Sequence, residues 1–169
     1  MSLKSDIADW DGKSADDIRA VYDAHHTKRG FLKNIVSLTK DPELAVGSTW
    51  LLKHHFDEGG APIGDELAFE LFGYTDSLTH WEARLHVLQC MQHIPVPTKR
   101  AQRVERFVSS CLSEEKKFVR AWAYSAYRDL AAAHPKYRAQ AEDLLEDALA
   151  TETAGSVLAR VRKVIKKGF

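Results

Sequence analysis

Long apolar runs are missing from this 169-residue chain. No stretch approaches the ~18 consecutive apolar residues of a membrane-spanning helix, so no membrane partner is expected. Cysteine is scarce. Its two copies, Cys90 and Cys111, fall in apolar helical patterns, which predicts free thiols in a reducing, cytoplasmic setting rather than a disulfide framework. The opening residues, MSLKSDIADWDGKSADD, have no apolar core and are rich in aspartate, unlike a secretory leader. Net charge is lacking too: 24 Lys+Arg balance 24 Asp+Glu, which argues against a generally basic nucleic-acid binder. The glycines of DEGGAPIG (57–64) come with neither the lysine of a P-loop nor a preceding strand. No nucleophile elbow or cysteine–histidine protease context is present, and period-2 alternation is nowhere sustained, which leaves little room for a β-sheet.

What is present is helix. The apolar spacing, punctuated by proline and glycine, predicts helices near 15–27, 31–39, 42–57, 63–73, 77–94, 98–112, 115–133, 136–150 and 154–167. Asp41-Pro42 reads as a cap followed by proline at a first helical position. Asp76 or Ser77 is expected to cap the helix bearing Trp81. Gly59-Gly60, IPVP (94–97) and His134-Pro135 read as stops. Within 77–94 the stripe of Leu78, Trp81, Leu85, Leu88 and Met91, widened by Val87, Cys90 and Ile94, is broad enough to face neighbours on two sides. Thr79, Glu82, His86, Gln89 and His93 are left for the wet side.

The charge is unevenly spread. Residues 1–75 carry 8 Lys+Arg and 13 Asp+Glu, a balance of −5; residues 76–169 carry 16 and 11, a balance of +5. An elongated fold would have an acidic and a basic end.

Internal similarity organises the pattern further. LTKDPELAVGSTWLLKHH (38–55), LFGYTDSLTHWEARLHVLQCM (71–91) and CLSEEKKFVRAWAYSAYRDL (111–130) each pass from an apolar helix end through a polar turn into a helix with a tryptophan. Laying EARLHVLQCM on FVRAWAYSAY aligns Arg84 with Arg120, and TETAGSVLARVRKVI (151–165) brings Arg160 to the same place. The first unit has Gly47 there.

With its Phe118-Val119-Arg120 step and following alanines, KFVRAWAYSAYRDLAAAHP (117–135) resembles a unit of the HEAT-repeat family. The resemblance covers residues 31–167 as four helix pairs, leaving 1–30 as an acidic N-terminal helix and cap. It implies an all-α fold, a single-domain, short right-handed α-solenoid whose second helices line a concave face. The implied function is binding or scaffolding, with another protein or peptide as partner. HEAT-like DNA alkylation-repair glycosylases use such a groove with aromatic, cationic and carboxylate groups near the damaged nucleotide; the same residue types recur here, so nucleic-acid binding is the alternative.

The candidate concave-face residues are Trp81, Glu82, Arg84, His86, Lys117 and Arg120, with Lys99, Arg100, Arg103 and Arg106 as a basic edge on a first helix. A structural reading competes: Trp50, Trp81 and Trp122 filling the seams between repeats, and Arg84 and Arg120 bonding carbonyls or acids of neighbouring turns. Spacings of four and three place His86, Cys90 and His93 within reach of one zinc ion in consecutive pairs, but Cys90 belongs to the apolar stripe, so neither metal nor cofactor is expected. The pairs His25-His26 and His54-His55 should each split between core and water, since adjacent helical residues diverge by about 100°. Arg162, Lys163, Lys166 and Lys167 crowd a helix C-terminus, where cations favour the dipole.

Overall fold

A computed structural model describes residues 1–169. The chain forms ten α-helices and no strand: α1 Leu3–Ala8, α2 Ala15–His25, α3 Phe31–Leu38, α4 Ala45–Asp57, α5 Asp65–Gly73, α6 Trp81–Cys90, α7 Ala101–Leu112, α8 Lys117–Ala133, α9 Arg138–Thr151 and α10 Gly155–Lys167. Single 3-10 turns occupy Thr75–Ser77, Met91–His93, Thr98–Arg100 and Pro135–Tyr137. No helix is long and apolar enough to cross a membrane.

The elements follow their local chemistry, with some ends displaced from the sequence expectation. Ser14 caps α2 by accepting from the Asp17 N–H, with Asp16 and Asp17 in the positive first turn. Gly30, at φ 80°, supplies the left-handed residue that lets α3 begin six positions after α2 ends. Asp41 takes the Glu43 N–H within a turn, and α4 starts only at Ala45. α6 starts at Trp81 with His80 as its cap, Nδ1 accepting from the Glu82 N–H, so neither Asp76 nor Ser77 caps it; both lie in the preceding 3-10 turn. The N-terminal segment holds an additional short helix, α1, closed by a Ser2–Ser5 capping box.

The helices pack against one another along the chain. α4, α6, α8 and α10 pack side by side in that order, with α2 against α4 at one end of the row. Of the others, α3 packs on α4 and on α5, α5 on α7, and α7 on α8, while α9 packs on α8 and α10. The acidic N-terminal segment is thus itself a helix pair, α1 on α2.

One apolar cluster of 36 buried residues runs from Leu3 to Ala141. A separate cluster of six, Ala121, Leu145, Ala148, Val157, Val161 and Val164, holds the last pair. Burial of such faces is the main stabilising force, and a single pair could not hide its own.

Candidate functional site

The aligned arginines form a ladder. Arg84, in α6, donates through Nη1 to Glu114 Oε2 at 2.9 Å and through Nη2 to Ser110 Oγ at 2.6 Å, with its guanidinium 5.9 Å from the Phe107 ring centre. Arg120, in α8, grips both Glu152 oxygens at 3.1 and 3.2 Å and donates to the Glu114 and Glu115 carbonyls at 2.9 and 3.0 Å. Each arginine reaches forward to the acid in the next pair's connecting turn. The Arg120 bonds, helped by the Ala154 N–H, hold the Glu152 carboxyl below its usual range, and Glu152 in turn raises Arg120.

Gly47 occupies the same place in α4, and the reason is steric. A Cβ there would stand 2.7 Å from Ile7 Cγ2 and 3.4 Å from the Trp10 ring. The N-terminal pair fills the space an arginine would need. Asp76, the acid of the α5–α6 turn, is taken instead by Arg103 at 2.6 Å, reaching back from α7 and also donating to the Gly73 carbonyl.

Other candidates are disposed differently from expectation. His86 is buried, not on the wet side of α6. Its Nδ1 lies 3.1 Å from Thr49 Oγ1, whose hydrogen goes to the Ala45 carbonyl at 2.7 Å, so His86 is the donor of that pair. Burial, aided by the Lys53 and His80 charges, brings the ring down to about 4, so it is neutral at physiological pH. Burial also pushes the Cys90 thiol up, while exposed His93 stacks on Phe56 at 5.2 Å. These three do not come together as a group that could hold a metal ion.

Trp81 and Glu82 are half-buried at the start of α6, with the Lys116 ammonium 5.3 Å from the indole. Lys117 is exposed and lies 5.5 Å from the Phe118 ring. Arg84 and Arg120 do meet, at Glu114, but as neutralised bracing rather than a free surface. Of the basic edge, Arg100 lies over the Phe69 ring at 3.8 Å and donates to its carbonyl, and Arg103 is paired with Asp76; only Lys99 and Arg106 are exposed and without an acid. Trp50, Trp81 and Trp122 are each half-buried rather than sealed in a seam. The histidine pairs do split: His25 and His55 are buried, His26 exposed and His54 half-buried.

The unpaired rung is the last one. Arg160, in α10, makes no ion pair, and its guanidinium lies 4.0 Å from the Trp122 ring centre. Between α8 and α10, with Gln92 at the rim, is a cleft of about 150 Å³ walled by Trp122, Ser125, Arg128, Asp129, Arg160, Lys163 and Lys167. Arg128 and Asp129 neutralise each other at 2.9 Å. Arg160, Lys163 and Lys167 make no ion pair. A guanidinium lying over an indole is positioned by the ring while its N–H groups can still donate to an oxyanion.

Sequence reasoning assigned Trp122 to packing and Lys163 and Lys167 to a solvated helix end. One signal was available for the pairing of Arg84 and Arg120: the acids Asp76, Glu114 and Glu152 recur every 38 residues. No family model, curated protein or solved structure matches this chain.

Proposed function

We propose that the protein is a binding or scaffolding module, a short α-solenoid of HEAT-like helix pairs that carries an acidic segment of a partner protein on the face of α4, α6, α8 and α10. The reading rests on the Arg160–Trp122 stack: a positioned, unpaired guanidinium with Lys163 and Lys167 beside it in one cleft. A carboxylate entering there would gain charge-assisted hydrogen bonds without first breaking an ion pair. The solenoid reading is supported by the packing order, in which α4 meets α6, α6 meets α8 and α8 meets α10.

Nucleic acid fits the same face less well. A duplex is held by many cations along a continuous track, whereas Arg84 and Arg120 are already neutralised by Glu114 and Glu152. The unpaired cations that remain on this face are Arg160, Lys163 and Lys167 in one small cleft and, away from it at the start of α8, Lys116 and Lys117, which do not make a continuous track.

The test is fluorescence anisotropy with a labelled Asp/Glu-rich peptide, a charge-scrambled Lys-rich control and a short labelled duplex, on the parent and Arg160→Gln chains. Loss of one charge-assisted bond, worth about 1.5–3 kcal/mol, should weaken peptide binding by about tenfold or more with an unchanged melting temperature. Equal peptide affinity in both chains, or a duplex bound more tightly than the peptide, would overturn the reading.

A further inference from the structure

The far end of the stack presents a second, separate surface. Beyond the six-residue core, α9 and α10 enclose an apolar groove of about 380 Å³ whose walls include Glu142, Glu146, Leu149, Ile165 and Phe169. Leu149, Ile165 and Phe169 are 44%, 45% and 38% exposed, and they are three of the six large apolar side chains the molecule leaves exposed. A concentration of this kind marks a docking surface rather than scattered surface leucines.

Charge indicates what docks there. On α9 the groove-side row Glu142, Glu146 and Leu149 has spacings of four and three, one helical face. On α10 the side bearing Ile165 and Phe169 also carries exposed Arg162 and Lys166, about 60–100° round the helix from Ile165. Arg160, Lys163 and Lys167 lie on the opposite side, in the cleft already described. The end is therefore half acidic and half basic, with apolar residues between. Such a surface is complementary to itself.

We propose that the chain forms an isologous dimer through this end, α9 of each protomer lying on α10 of the other. A two-fold axis in the interface has two simple choices. Running along the helices, it preserves height and exchanges the sides. Glu142 and Glu146, which share a groove with Ile165 and Phe169, then face the partner's Arg162 and Lys166. Running across the helices, it would set acid on acid and base on base. Electrostatics selects the first. Leu149, Ile165 and Phe169 of both protomers fill the middle, and the peptide cleft stays open on the other side of α10.

Sedimentation of the whole chain over a range of concentrations and salt tests this. We expect a species of twice the 19.1 kDa chain mass with a dissociation constant on the order of 10 µM, weakening as salt screens the charged rows. Ile165→Asp alters an exposed position, so it should give a monomer of unchanged melting temperature. Two charge-reversed chains, Glu142→Lys/Glu146→Lys and Arg162→Glu/Lys166→Glu, should each be monomeric alone and dimerise when mixed, because each then supplies what the other lost. A parent chain that stays monomeric at ~100 µM, on the order of ten dissociation constants, would overturn the proposal. So would a dimer untouched by Ile165→Asp, or reversed chains that fail to pair on mixing while both remain folded by circular dichroism.

Discussion

The middle of the molecule and its C-terminal end use the same repeat positions to opposite effect. In α4, α6 and α8 those positions are closed. Gly47 admits the N-terminal pair, Arg84 and Arg120 are spent on Glu114 and Glu152, and His86 is buried on Thr49. In α10 the equivalent Arg160 faces a cleft, and the core beneath it shrinks from 36 residues to six. A side chain with a neighbour on each side becomes bracing. The same side chain in α10 lies on Trp122 and makes no ion pair, which is what the proposed peptide site relies on.

The largest effect should come from the core difference. Leu88→Ala, at a side chain 1% exposed in the main cluster, should cost about 2–5 kcal/mol in denaturant unfolding. Val161→Ala, in the small cluster, should cost less. It should also speed hydrogen exchange in α9 and α10 while leaving α4 to α8 protected. Uniform acceleration along the chain would show that the last pair is no weaker than the rest.

Acid should act chiefly on the middle. The folded His86 ring titrates at about 4 against an ordinary 6.5. Below pH 6.5 the unfolded chain therefore takes up a proton that the folded one refuses. The stability it contributes is complete above that pH and is lost as pH falls toward 4, by about 3 kcal/mol in all. His86→Gln, which keeps a donor for Thr49, should flatten this part of the pH–stability curve. An unchanged slope in the variant would place the acid sensitivity elsewhere.

The smallest stability effects separate the two arginines directly. Arg120→Ala leaves Glu152, whose side chain is 10% exposed, without its partner and should cost about 1–3 kcal/mol. Arg160→Ala breaks no ion pair and should stay within about 0.5 kcal/mol of the parent while losing peptide affinity. Equal destabilisation by both substitutions would mean that Arg160 is bracing too.

Much of the architecture was legible beforehand. Nine of the ten helices follow from apolar spacing and breakers, and the histidine pairs split as their 100° separation requires. α1 escaped because six residues carry too little periodicity to register. The α6 start was misplaced because Asp76 and Ser77 are good caps by type, yet a 3-10 turn intervenes and His80 does the capping. His86 was misread for a similar reason. Its residue type argues for water, but Thr49 offers the one partner that lets a neutral imidazole stay inside.

The sequence alone determined that the chain is helical, where its helices run and which positions recur, because spacing, capping and chain breaking act over a few residues. Only the tertiary structure decided which recurring arginine is spent and which is unpaired. Glu114 lies 30 residues from Arg84, Glu152 lies 32 from Arg120, and Arg160 meets Trp122 from 38 residues away. An ion pair over such separations exists only once packing has brought the helices together, and packing brings Arg160 against an indole rather than a carboxylate.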